Sequence, residues 1–373
     1  MKRIYCDNAA STPLDKDILN KMNDIVDRAI GNPSSIHKFG QESKAILERA
    51  RLSACKSLGC NRSELIFTSC GTESNNIALL GILKPGDHLI TSTYEHPAVL
   101  KVANILEKKG VEVSYIKPQY SGKICTADIE KEIRPHTKLI SIMFVNNEIG
   151  TINPINEISE MSHSKNIIFH TDAVQYIGKE EINLKETKID LLSLSAHKFY
   201  GPKGVGALFI RDGIDLHPTY IGGSQENNLS PGTENIIGIY GLSLALEMSL
   251  TTAKERKQVT AKNESTFIDT LKKLNLNFNI NGEDRLPGIL NLTFMDILST
   301  DLVMGLDMSG YAISGGSACS SGITTAPNTL IEIGLNEDLA KKTVRISFGK
   351  DITKNNIINL AKSISTIIRD TNE

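Results

Sequence analysis

"SLSAHKFYGPKGVGALFI", residues 193–210, decides how the chain folds. It opens inside "DLLSLS" (190–195), an apolar run without polar alternation, and closes inside a second one, "VGALFIR" (205–211). The residues between them are too few for a helical crossover, so the second run is expected to lie antiparallel to the first. Lys198 follows the first run directly, and Lys203 sits in turn sequence between Pro202 and Gly204. A lysine at a buried strand end has two readings. One is an ordinary surface amine. The other is a desolvated amine with a depressed pKa, able to bond a carbonyl carbon.

Outward from this stretch, short apolar runs alternate with helical ones. "ELIFTS" (64–69), "DHLITS" (87–92), "VEVSYI" (111–116), "KLISIMFV" (138–145) and "IIFHTD" (167–172) read as further strands. "TESNNIALLGIL" (72–83) and "HPAVLKVANILEKKG" (96–110) carry helical spacing. Helices between apolar strands predict a mainly parallel, seven-stranded α/β sheet with right-handed crossovers. Beyond about residue 255 the texture changes to a long charged helix, "AKERKQVTAKNESTFIDTLKKL". Two strands that read as amphipathic follow, "GILNLTF" and "KTVRISFG". The expected division is a large α/β domain over 15–255, and a small α+β domain made of 1–14 with 256–373.

The bulk numbers narrow the function. The 373 residues are 40% hydrophobic and 23% charged, with a net charge near −2, so neither nucleic acid nor an anionic membrane is an expected partner. No apolar run is long enough to span a bilayer and no signal peptide is read, which predicts a cytoplasmic protein. Cys6, Cys55, Cys60, Cys70, Cys125 and Cys319 form no CxxC or zinc pattern and read as free thiols.

Ligands of open α/β sheets gather at the carboxyl ends of strands. Gly71 and Thr72 stand at one strand-to-helix junction, where backbone N–H groups suit an anion; an ordinary helix start is the plainer reading. Asp172, with Gln175 after it, ends another strand, as an N-cap or as a carboxylate that keeps a ring nitrogen protonated. His96 follows a third strand, Asn146 and Asn147 a fourth, and Ser195 and His197 precede Lys198. Taken together, an anion cradle, a carboxylate, an imidazole, amides and a lysine are what pyridoxal 5'-phosphate requires.

"YCDNAASTP", "GNPSSIH", "TSCGTESNN", "EHPAVL", "VNNEIGTI", "HTDAVQ", "SAHKFYGPKGVGAL" and "GGSACSSG" occur in this order. The set resembles cysteine desulfurases of the NifS/IscS type, class V pyridoxal-phosphate enzymes of fold type I, over residues 4–350. The resemblance implies that Lys198 bonds the cofactor aldehyde, Asp172 pairs with the pyridine nitrogen, Gln175 bonds the phenolic oxygen, and His96 stacks on the ring. It implies that Gly71, Thr72, Ser195 and His197 hold the phosphate. Thr233 would reach the phosphate of a partner subunit in a homodimer. Asn147 and Arg345 would bind the carboxylate of L-cysteine, and Cys319 would take its sulfur, releasing alanine and passing a persulfide to an acceptor protein for iron–sulfur assembly or tRNA thiolation. The glycines and serines flanking Cys319 suit a loop that delivers such a group.

The chain departs from that pattern at Asn227, Ser230 and Pro231, where basic residues are usual, at Lys350 in place of arginine, and at Cys70, read as a packed thiol. A selenocysteine lyase or an aminotransferase is the alternative enzyme. A non-catalytic scaffold is the alternative of another class, disfavoured because Lys198, Asp172, His96, Arg345 and Cys319 are all retained.

Overall fold

The computed structural model describes residues 3–315 and 327–372. Among these, the strands are β1 (Ile4–Tyr5), β2 (Leu65–Thr68), β3 (His88–Ser92), β4 (Glu112–Ile116), β5 (Thr137–Ser141), β6 (Ile168–Asp172), β7 (Leu191–Ser195), β8 (Gly206–Ile210), β9 (Phe278–Asn281), β10 (Ile289–Phe294), β11 (Tyr311–Ala312) and β12 (Thr343–Ser347). The larger sheet has seven strands in the order β2-β8-β7-β6-β5-β3-β4. From β7 to β4 the neighbours are parallel. β8 is antiparallel to both β7 and β2, as the short connection after Lys198 requires.

Why these runs lack polar alternation is plain from their two faces. Ile66, Leu89, Leu139, Leu191 and Leu208 enter one apolar cluster, under the Gly71–Ile82 and Pro97–Lys108 helices. Their neighbours Phe67, Ile90, Ile140, Leu192 and Phe209 enter another, under the Lys38–Leu58 and Ile236–Thr251 helices. Successive side chains point to opposite faces, and both faces are covered. β5 ends at Ser141 instead of Val145. Residues 142–144 leave the ladder while Ile142 and Phe144 still donate to the carbonyls of His170 and Asp172.

The smaller sheet is antiparallel, β12-β10-β9, and β1 pairs in parallel with β11. β10 and β12 were expected to be amphipathic, but both are buried throughout. The alternation exists, yet neither side meets water. Leu290, Leu292 and Phe294 pack with Phe267, Leu271, Leu360 and Ile364. Asn291 and Thr293 take up Asn281 Nδ2 at 2.7 and 2.9 Å, and Asn291 Nδ2 donates to the Glu148 carbonyl.

The Ala253–Lys273 helix follows Ile236–Thr251 at an angle of 68°. Among the described residues, no single helix is long and apolar enough to cross a membrane; that bent pair passes the same test by length and composition only. The first of the two is a core helix, with Leu242, Ala245 and Leu246 fully buried.

β2 is an edge strand, and an ion pair covers its open side. Arg51 Nη1 donates to the Leu65 carbonyl at 2.7 Å, and the Glu226 carboxylate accepts from Phe67 N at 2.9 Å. Arg51 and Glu226 pair at 2.5 Å with side chains only 11% and 4% exposed. Removing one partner leaves a buried charge alone. Arg51→Ala is expected to cost about 3–5 kcal/mol in urea unfolding. Arg51→Met with Glu226→Gln should recover part of that loss; a double variant as unstable as Arg51→Ala would contradict this account.

Candidate active site

A cavity of about 350 Å³ opens at the carboxyl ends of the parallel strands. Gly71, Thr72, His96, Asn147, Asp172, Gln175, Ser195, His197, Lys198 and Arg345 all line it. Sequence reasoning drew these residues from separate segments, and the fold brings them to one place. Thr233 is elsewhere: it lines a separate cavity of about 440 Å³ with Tyr220 and Ser230. Cys319 lies outside the described residues.

Lys198 sits on a short turn, Ala196–Lys198, directly after β7. Its amine donates to the carbonyls of Ala9 and Ala10 at 2.7 and 2.9 Å, and Gln175 Nε2 donates to the same Ala9 carbonyl at 2.7 Å. Two donors from different strand ends therefore converge on one oxygen. Lys203, by contrast, is exposed in its turn.

Asp172 caps no helix, because a turn follows β6, but its carboxylate lies on the cavity wall. Oδ1 accepts from Val174 N at 3.0 Å, a local turn bond, while Oδ2 accepts from Asn75 Nδ2 at 2.7 Å on the cavity wall. His96 does cap a helix: its Nδ1 accepts from Ala98 N at 3.1 Å at the start of Pro97–Lys108, and its ring lines the cavity. Burial, aided by Lys198, lowers the His96 pKa against the pull of Asp172, and so favours the neutral ring. His197 is pushed down to about 4 by burial and by Lys198 and Lys203, and its Nδ1 lies 3.2 Å from Ser11 Oγ.

The Gly71–Ile82 helix points its N-terminus into the cavity, and its first N–H groups have no intrahelical partner. A Cβ on Gly71 would lie 2.7 Å from Val174 Cγ2, so a side chain there would force Val174 to shift. Cys70 is not the packed thiol expected. It is half-buried, stands at the N-cap without a side-chain cap bond, and lines the cavity. The Asn227–Pro231 segment is bound to its own chain: Asn227 and Asn228 adopt left-handed backbone, and Ser230 Oγ donates to Glu73 Oε1 at 2.7 Å.

Arg345 comes from the smaller sheet and is 2% exposed. Nη2 pairs with Asp7 at 2.7 Å and Nη1 donates to the Asn147 carbonyl at 2.9 Å, while Nε is buried without a partner among the described residues. Lys350 is tied to Asp15, and its backbone N–H donates to Tyr200 Oη at 2.8 Å.

Three buried residues on the wall escaped sequence reasoning: Asn75, Glu95 and Glu148. Each has one side-chain oxygen without a partner among the described residues. A signal for Asn75 was present, since it lies one helical turn after Thr72 and faces the same way. Glu95 and Glu148, beside His96 and Asn147, carried none beyond adjacency. Burial pushes Glu95 up to about 8, against its bonds from Met143 N and Ser92 Oγ, and lifts Glu148 to about 7 against the pull of Arg345.

This sequence and fold have known counterparts. Residues 4–360 match the aminotransferase class-V family model. A protein of Dictyoglomus turgidum named "Cysteine desulfurase IscS" is 43% identical over 96% of this chain and 92% of its own length. "Putative cysteine desulfurase IscS 1" of Bacillus subtilis is 38% identical over 99% of both chains. A solved structure titled "NIFS-LIKE PROTEIN" superposes with a TM-score of 0.92 at 34% identity, covering 99% of this chain and 100% of the other. The chain belongs to the class-V aminotransferase family. Within that family, the relatives matched over nearly its whole length carry the name cysteine desulfurase.

Glu95 gives the site a signature in stability. The native protein holds its proton up to about pH 8, whereas a carboxyl at the ordinary value of 4.5 has lost it. The native state therefore binds more protons across that window. The contribution is full below about 4.5 and is lost as pH rises through 8. Glu95→Gln, which cannot ionise, should flatten the decline in urea-derived stability between pH 5 and pH 8 by an amount on the order of 3 kcal/mol. An unchanged pH profile would mean that Glu95 is ionised in the folded protein.

Proposed function

We propose that this protein is a cysteine desulfurase that uses pyridoxal phosphate to remove sulfur from L-cysteine, leaving alanine and a persulfide on Cys319 for an acceptor protein. The observation that carries the reading is the convergence of Lys198, Asp172, His96, Gln175 and a helix N-terminus on one cavity with Arg345 in its wall.

The residues fit the cofactor. Lys198 and Gln175 already aim their donors at one oxygen, that of Ala9, as they would at an oxygen on the cofactor ring. Asp172 would hold a proton on the ring nitrogen, His96 would face the ring, and Gly71, Thr72, Ser195 and His197 would hold the phosphate. When bound, pyridoxal phosphate supplies an electron-withdrawing ring beside the substrate's Cα.

The chain's own groups then divide the work. The buried Nε of Arg345 lacks a partner among the described residues and suits a carboxylate, with Asn147 beside it. The Lys198 amine moves the proton at substrate Cα. The Cys319 thiolate attacks the substrate sulfur: an S–S bond forms, the Cβ–S bond breaks with its electron pair left on the carbon skeleton, and that skeleton takes up a proton at Cβ and leaves as alanine. A solved structure titled "SspA in complex with cysteine" is 37% identical with a TM-score of 0.82, which supports the choice of substrate.

The same reading extends outward. We infer a homodimer in the cytoplasm; Tyr220, in the cavity of Thr233, and its neighbour Ile221 are 70% and 86% exposed on one chain. We infer the division at residues 15–255 against 1–14 with 256–373, supported by a separate apolar core that joins Cys6 to Phe267, Leu292 and Ile364.

The purified protein is expected to carry a visible absorbance band that shifts on adding L-cysteine, with alanine and sulfide formed. Lys198→Ala should lose the band. Cys319→Ser should keep it and lose sulfur transfer. A coloured Cys319→Ser variant with undiminished sulfide would remove that residue from the mechanism. Arg345→Ala should lower kcat/KM for cysteine about 100-fold, mainly through KM; unchanged kinetics would exclude carboxylate binding there.

A further inference from the structure

Gln175 is held from two sides. Its Nε2 donates to the Ala9 carbonyl, and its Oε1 accepts from Lys179 Nζ at 2.5 Å. A carbonyl can only accept, and the amine facing Oε1 donates, so the amide has one orientation, with its N–H edge toward the oxygen that Lys198 also reaches.

The local backbone is built to return Lys179 to this point. Tyr176 and Ile177 N–H groups both bond the Ala173 carbonyl, and Gly178 then takes a φ of +78°. A Cβ on Gly178 would lie 2.4 Å from Phe199 Cβ, so a side chain is excluded there on both counts. Lys179 lines a second cavity of about 360 Å³, which shares Ala9 and Lys198 with the first.

The placement is costly for a merely structural lysine. Among the described residues the amine meets an amide and no carboxylate, although Glu180 is adjacent; Glu180 pairs instead with Lys257 at 2.7 Å. Burial first, and then Lys198, Arg345 and Arg256, hold the Lys179 ammonium down at about 7. A lysine free to choose would carry its amine to water or to an acid.

We propose that Lys179 is a positioning residue that fixes the Gln175 amide as a donor toward the cofactor oxygen beside Lys198. This rests on the pyridoxal-phosphate reading above. A donor to that oxygen stabilises its anionic form, and so lowers the pH at which the bound cofactor's visible band titrates.

The experiment is a pH titration of that band in the holoenzyme. Lys179→Met should move the midpoint upward by about one pH unit, the scale of one charge-assisted hydrogen bond. Lys179→Arg, which keeps a donor, should restore most of the shift. In a Gln175→Leu background, Lys179→Met should add nothing further, because the lysine acts through the amide. A wild-type midpoint in Lys179→Met, or a full additional shift without Gln175, overturns the proposal. If Lys179→Met does not fold, Lys179→Gln takes its place, with the midpoint expected between wild type and Gln175→Leu; a midpoint beyond Gln175→Leu overturns the proposal. A wild-type protein with no visible band overturns both the cofactor reading and this inference, whereas a titrating wild type with an indifferent Lys179→Met overturns this inference alone.

Discussion

The site hangs from the backbone of residues 6–12, which run between the two sheets. Cys6 O accepts from Ser347 N at 2.7 Å, and Ala9 N donates to Ser347 Oγ at 2.8 Å, both on the smaller sheet. The carbonyls of Ala9 and Ala10 take up Lys198 and Gln175, and Thr12 bonds the His197 carbonyl, all on the larger sheet. Asp7 holds Arg345. A short segment, turned at residues 8–10 by bonds from Ala10 and Ser11 N to the Asp7 carbonyl, thus sets the distance between the lysine of one sheet and the arginine of the other. Its hydrogen bonds go to buried or half-buried groups, where an unmade bond costs more than a made one gains.

The larger sheet was legible because its strands are buried on both faces and so lack polar alternation. The antiparallel β8 was legible from the shortness of the link after Lys198. The smaller sheet was harder to read. Its alternation is ordinary, and what buries the polar side is contact with the larger body, including the Asn291 bond to the Glu148 carbonyl, which no local pattern encodes.

The site divides along the same line. Asp172, His96 and Lys198 could be found because polar residues at the ends of apolar strands stand out. A local bond does not take either side chain out of the cavity: Asp172 makes a turn bond and His96 a cap bond, and both line it. Glu95, Glu148 and the link from Lys179 to Gln175 depend on what three-dimensional packing removes from water, and sequence spacing is silent on that. For Thr233 the sequence offered only a resemblance, and within one chain this residue belongs to a different cavity.

The asparagine cluster of the smaller sheet reaches further than its distance from the cavity suggests. Asn291 stands opposite Arg345 in the pairing of β10 with β12, and Thr293 Oγ1 lies 2.7 Å from Thr343 Oγ1 across the same pair. If the two strands slid by one residue, Asn291 would face Val344 or Ile346 and the Thr293–Thr343 contact would be lost. The threonine contact and the alternation of the two strands therefore work as a key that admits one alignment of β10 with β12. That alignment sets how far along the sheet the Arg345 guanidinium stands, so its depth in the cavity wall depends on side chains that lie away from the cavity.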